Sequence, residues 1–159
     1  MTEALRAALD EAFDRRSWHG TNLRGAIRGL TPAQAAWRPG PGRHNIWELV
    51  VHAAYWKYAV ARRFTGADRG SFPMKGSNWF LRPQGQEVRE DAWRADIDLL
   101  DQMHESLRKA VARLTPQDLA RTPAGKKVSN FALISGIAAH DLYHAGQVQL
   151  LKRLCPPSR

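Results

Sequence analysis

Apolar residues recur at steps of three and four in four long runs, separated by breaks rich in proline and glycine. No stretch keeps the two-residue alternation of a half-buried strand, so the pattern predicts helices throughout. In the first run Leu5, Leu9, Phe13, Leu23 and Ile27 make a stripe that Ala8 and Ala12 fill, predicting a helix over residues 2–29. Trp18-His19-Gly20 interrupts it; Gly20 weakens a helix interior, and Thr21 or Asn22 can cap a restart. A kink is therefore expected there, and Leu30-Thr31-Pro32 ends the run. Thr31 to Gln34 predicts one further helical turn, with Pro32 in its first position.

The second run opens with Asn45 as a cap and Glu48 three residues later, the reciprocal pattern of a capping box. Ile46, Leu49, Val50, Ala53, Trp56, Val60 and Phe64 form its apolar face, and Gly66 is placed to stop it. The third run, residues 87–114, carries Val88, Trp93, Ile97, Leu100, His104, Leu107, Val111 and Leu114. Thr115-Pro116 ends it, with a short turn expected at residues 116–120 within a connection that reaches 128. The fourth run, residues 130–154, starts at a Ser129 or Asn130 cap and is stopped by Pro156-Pro157. The expected architecture is all-α, a four-helix bundle forming a single domain over residues 1–159. A long connection, 66–86, joins helices two and three. Its aromatics Phe72, Trp79 and Phe80 argue against disorder. Ser77-Asn78-Trp79-Phe80 either docks over the helices or plugs a small satellite core.

The chain of 159 residues has a formal charge of +9, which raises nucleic acid as a partner. Its arginines are scattered over every predicted helix, with no dense basic block and no nucleic-acid motif, so solvated helix faces are the better reading. No apolar run approaches the about 20 residues of a membrane span, and the N-terminus lacks a signal-like apolar stretch. A single cysteine, Cys155, forbids an intrachain disulfide. A cytoplasmic setting is expected.

Candidate chemistry lies in the fourth run. Leu133, Ile137, His140, His144, Gln147 and Leu151 share one face, so two imidazoles point inward one turn apart. Such a pair either chelates one metal ion or hydrogen-bonds to neighbouring helices, and spacing alone leaves both open. The spacing also matches H-E-x-x-H with Asp141 in place of Glu, but the zincin reading fails. Asp is a methylene too short for that general base, and Cys155 stands about 16 Å along the helix. A third ligand must come from earlier in the chain. His44 sits in a loop, exposed or capping; His19 is at the suspected kink; His104, beside Asp101 and Glu105, is expected to face water. His52 is flanked by Val51, Ala53 and Ala54 inside an apolar helix and must face an interior partner or a rim. His52, His140 and His144 would supply three neutral imidazoles and leave positions open for water or substrate.

Two stretches carry a family likeness: His44-Asn45-Ile46-Trp47-Glu48-Leu49-Val50-Val51-His52, and Gly136-Ile137-Ala138-Ala139-His140-Asp141-Leu142-Tyr143-His144-Ala145-Gly146-Gln147. On them the chain resembles the DinB-like (YfiT-like) superfamily of bacterial metalloenzymes. Trp18-His19-Gly20 and Ser77-Asn78-Trp79-Phe80 are similar to one subgroup. The resemblance implies a four-helix bundle, often of crossed connectivity and often a homodimer. It implies a divalent transition metal, zinc or nickel, on His52, His140 and His144. It also implies a small-molecule substrate and, in some relatives, a low-molecular-weight thiol. Glu48, Trp56, Asn78, Trp79, Asp141 and Gln147 are the candidates to line or support the site. Asp141 is expected to hold a ligand imidazole, and Glu48 to be accounted for by capping. With no carboxylate left over, metal-activated thiol transfer is favoured over a metal-dependent hydrolase or a non-catalytic metal-binding protein. Metal binding is expected to weaken below about pH 6.5, where free imidazole protonates.

Overall fold

A computed structural model describes residues 1–66, 68–122 and 127–156. Every regular element among them is helical: α1 Thr2–Phe13, α2 Leu23–Ile27, α3 Pro32–Ala36, α4 Ile46–Thr65, α5 Glu90–Ala112, α6 Pro116–Ala120 and α7 Asn130–Leu154. A 3-10 turn, Gly85–Glu87, precedes α5. The expected all-α class holds. No described helix is long and apolar enough to cross a membrane.

Local chemistry sets most boundaries. The Asn45 side chain accepts from the Glu48 amide and Glu48 reaches back to the Asn45 amide, which starts α4. Gly66 stops it at φ 71°, a left-handed conformation that costs glycine nothing. Thr31–Gln34 and Thr115–Asp118 form capping boxes on α3 and α6, and Ser129 caps α7. Pro157, expected to help stop α7, and residues 123–126 of the last connection lie outside the described residues.

The single first helix expected over residues 2–29 is a correction. The chain leaves the helix after Phe13 and resumes only at Leu23. Gly20 takes φ 100°, and Asn22 both caps α2 through the Gly25 amide and donates to the Arg15 carbonyl. That clasp turns the expected kink into a full break, and Trp18 stands almost wholly in solvent.

The four long helices close a ring: α1 and α4 each pack on both α5 and α7. Consecutive long helices in the sequence are therefore not always neighbours. Two apolar clusters fill the interior. One surrounds Trp47 and Trp93, which meet edge-on at 5.2 Å. The other gathers Leu5, Leu9, Val60, Leu107, Leu119 and Ile134. A polar layer lies where they meet: Lys57 pairs with Asp141, His104 Nε2 is 3.7 Å from Asp10, and Phe13 packs on both Lys57 and His104.

Candidate metal centre

The capping box fixes where α4 begins, and two turns later His52 enters the interior, 6% exposed. α7 supplies His144, 3% exposed, and the half-buried His140 one turn earlier. The three rings converge, with one nitrogen from each lying within 4.8 Å of the others. His52 Nε2 is 3.2 Å from His140 Nε2, and His144 Nε2 is 3.0 Å from it.

Hydrogen bonds at the far side of two rings decide which nitrogens are free. His52 Nδ1 is 2.8 Å from the Asn78 carbonyl, which only accepts, so Nδ1 carries the proton and Nε2 a lone pair. His144 Nδ1 meets Gln147 Oε1 at 2.6 Å with the same consequence, while the Gln147 amide nitrogen donates to the Tyr143 hydroxyl. Both lone pairs face His140 Nε2, which can donate to only one of them. His140 Nδ1 is buried without a partner among the described residues. A cation shared by the three Nε2 atoms removes the conflict. With metal–nitrogen bonds near 2.05 Å, adjacent ligand nitrogens sit about 2.9 Å apart in octahedral and about 3.3 Å in tetrahedral geometry. The two pairs that include His140, at 3.0 and 3.2 Å, fall in that range, and the third pair lies within 4.8 Å. The residues fit a divalent transition metal.

The long connection closes over this cluster. Trp79 stacks on His52 at 3.9 Å and 13°, and its other face stacks on His44 at 3.6 Å and 6°. Asn78 takes φ 67°, an uncommon conformation that asparagine tolerates better than most residues. In it the backbone oxygen orients His52 while Oδ1 accepts from the Trp56 indole at 2.8 Å. The docking reading is the one realised: Asn78 and Trp79 dock on the histidines, and Phe80 packs with Phe72 and Tyr55 as part of the larger apolar cluster and not of a separate satellite core. Asn78→Ala keeps the carbonyl but disfavours the left-handed backbone that aims it at His52, and is expected to weaken metal binding by about tenfold. Asn78→Gly, which keeps the backbone conformation and loses only the Trp56 bond, should cost less. Competition titration against a chelator separates them, and equal affinities would sink the orienting role.

His44 and Glu48 extend the site outward. Glu48 accepts from Arg38 through both oxygens, at 3.0 and 2.5 Å, and from His44 Nδ1 at 3.0 Å. Burial works to raise the Glu48 carboxyl, but the Arg38 and His44 hydrogen bonds and the Arg38 charge outweigh it and hold it below its usual value. Capping accounts for only part of Glu48. His44 faces an open pocket of about 500 Å³ together with Trp79, Tyr143, His144, Gln147 and Leu150. A smaller recess of about 180 Å³ reaches His140 past Trp56 and Gly136.

Two expectations need correction. Asp141 holds no imidazole: it is wholly buried and paired with Lys57, also wholly buried, because an ammonium left alone there is far costlier than one with a carboxylate. His104 does not face water. It is 4% exposed, stacked on Phe13 at 3.7 Å, and neither ring nitrogen has a hydrogen-bond partner among the described residues. Sequence reasoning also missed Lys57 and Arg38. Lys57 could have been found: it stands four residues after Ala53 and three before Val60, both on the apolar face of α4.

Burial dominates the titration of these rings. It pushes His52 down to about 4, against the pull of the Asn78 carbonyl. It pushes His140 down to about 3, helped by the charges of His144, His52 and Lys57. His104 falls to about 2 through burial and the Lys57 and Arg108 charges, and burial lowers His144 as well. A folded value below the unfolded 6.5 means that the unfolded chain takes up protons first, so stability is whole above about pH 6.5 and drains as pH falls. Each buried neutral histidine should cost about 1.4 kcal/mol per pH unit below that point. Metal-stripped protein is therefore expected to show a falling urea midpoint between pH 7 and 5, and His104→Leu to flatten the slope. An unchanged midpoint across that interval would refute it.

A family profile for the DinB superfamily matches residues 14–148, most of the chain and all three histidines. The chain belongs to the DinB superfamily. No curated protein and no solved structure matches it. The DinB match begins just past α1 and ends within α7, so it spans the second to seventh helices and the connection that closes over the site.

Proposed function

We propose that this DinB protein is a four-helix bundle enzyme holding one divalent transition metal, zinc or nickel, on His52, His140 and His144. In this reading it transfers a low-molecular-weight thiol to an electrophilic small molecule. The observation that carries it is the convergence of three Nε2 atoms beside an open pocket that His144 itself lines. When bound, such a metal lowers the pKa of a thiol or water held on it.

The rest falls to the chain's own side chains. Asn78 and Gln147 hold two imidazoles in the tautomer that presents Nε2 inward. Trp79 covers His52 and keeps water off that ring. His44, its Nδ1 engaged by Glu48, leaves Nε2 without a partner among the described residues at the pocket. That nitrogen takes the thiol proton as sulfur bonds to the electrophilic carbon; the bond from that carbon to its leaving group breaks, the group keeps the bonding pair, and the proton passes to it. The two nearest carboxylates are committed, Glu48 to Arg38 and His44, Asp141 to Lys57, and neither is free to activate water. This favours thiol transfer over hydrolysis.

The functional unit in this proposal is a homodimer. Ala132, Gly136, Ala139, Tyr143, Gly146 and Leu150 follow one another along α7, all exposed, small or apolar, and none charged. A second copy packed there would wall the pocket at Tyr143 and Leu150. Leu150→Asp is expected to turn a dimer into a monomer by light scattering, and a monomeric wild-type protein would sink this part.

The test of the function is metal-loaded protein assayed with several thiols against an alkylating electrophile. Thiol consumption that needs both metal and protein supports the proposal. Ester or amide cleavage without thiol would replace it by a hydrolase.

A further inference from the structure

We infer that the cleft between the end of α4 and residues 69–77 binds a small molecule carrying a di- or triphosphate beside a planar aromatic ring. The cleft holds about 720 Å³, inside the about 300–1,000 Å³ typical of ligand sites. It is distinct from the pocket lined by His144.

Its rim is basic. Arg62 and Arg63 line it from α4, Arg69 and Lys75 from the facing connection, and no acidic residue lines it among the described residues. Arg24, Arg38, Arg82 and Arg108 are neutralised by Asp101, Glu48, Asp96 and Asp10; what sets the rim apart is that its four cations come from two segments and face one space. The four rim cations have no carboxylate partner among the described residues, and Asp68 offers the cleft's Tyr58 its backbone carbonyl. The partial negative charge at the C-terminus of α4 accounts for Arg62 and Arg63. It does not account for Arg69 and Lys75, which stand on another segment across the cleft. Four like charges facing one space repel unless an anion sits among them. Their number matches the three or so negative charges of a diphosphate ester, and guanidinium forks suit phosphate oxygens.

Its floor is aromatic and fixed. Phe72, 6% exposed, meets Tyr55 and Tyr58 at 5.4 Å each and is backed by Phe80. The Tyr58 hydroxyl donates to the Asp68 carbonyl and accepts from Ser71. Phe72 backs Tyr55 and Tyr58, which with Trp56 are the partly exposed rings of the cleft; a planar ring can pack on them, and inorganic phosphate alone would not. Trp56 lines the same cleft and leans edge-on toward His52 and His140, 6.3 Å from each. Its fluorescence should therefore report occupancy of the cleft.

The test uses the full chain, stripped of metal and desalted so that neither ion nor chelator competes. ADP, pyrophosphate and adenosine are titrated by calorimetry and Trp fluorescence. ADP should saturate in the micromolar range, with pyrophosphate and adenosine each about tenfold weaker or more. Arg69→Ala/Lys75→Ala, on an exposed segment, should weaken ADP about tenfold, and Arg89→Ala, paired with Asp91 elsewhere, should not. Affinity should also fall between about 50 and about 200 mM salt. No saturation by millimolar ADP, undiminished binding in the double variant, or adenosine binding as well as ADP would overturn the inference. So would a single-stranded oligonucleotide that binds far more tightly than ADP, since a strand would then be the occupant. Because no metal is present, failure here leaves the tri-histidine proposal standing, and the reverse holds too.

Discussion

Purified protein is expected to carry about one transition-metal ion per chain, and His52→Ala, His140→Ala or His144→Ala to lose most of it. Each ring supplies one of three converging nitrogens, so removing any one leaves two ligands and a hole in the coordination shell. His104→Ala should keep its metal, because His104 sits in the polar layer against Phe13 and Asp10. Elemental analysis of the four variants decides it, and full metal in His52→Ala would remove the third ligand. Chelation should lower the melting temperature without unfolding the helices. A ligand present at a hundred times its dissociation constant contributes about 2.7 kcal/mol, while two apolar clusters remain intact. The pH at which metal is lost should lie below the 6.5 of free imidazole. Burial holds His52 near 4 and His140 near 3, so the rings stay neutral and able to ligate further into acid. Metal release centred at or above pH 6.5 would contradict this.

What could be read from the residues followed from how local the physics is. Asn45 and Glu48 satisfy each other's amides within four residues, so the start of α4 was legible without any tertiary contact. His52 was legible because a lone imidazole among Val51, Ala53 and Ala54 must meet something inside. His104 was misread because its acidic sequence neighbours outweighed its place in line with Leu100, Leu107 and Val111. On a helix that spacing, not adjacency, decides burial. The break after Phe13 depends on a hydrogen bond from Asn22 to Arg15, and the Trp79 stack on how a long connection closes. Neither is encoded in periodicity. Asp141 lost its expected role because Lys57, a residue type normally solvated, reaches it across 84 positions of sequence.

That pair yields the largest stability effect expected here. Lys57 and Asp141 are both fully buried, with Lys57 Nζ 4.7 Å from the Phe13 ring centre and paired to Asp141 Oδ2, and Asp141 Oδ1 without a hydrogen-bond partner among the described residues. Burial raises the Asp141 carboxyl, and the Lys57 charge and hydrogen bond pull it back. Removing one partner strands the other in an apolar setting, which costs about 3–5 kcal/mol. For a chain of this length each kcal/mol shifts the melting temperature by about 2–4 °C, so Lys57→Met or Asp141→Leu alone should lower it by about 10 °C. The double variant Lys57→Met/Asp141→Leu strands nothing and fills the layer with apolar volume. It should melt near the wild-type temperature or above it. The melts are compared without metal, because Asp141 adjoins His140 and a loss of ligation would otherwise add to the effect. Single variants within about 1 kcal/mol of wild type would mean that water reaches the pair and screens it. A double variant as unstable as the sum of the singles would mean that the polar layer is required for packing between α4 and α7, and not merely tolerated there.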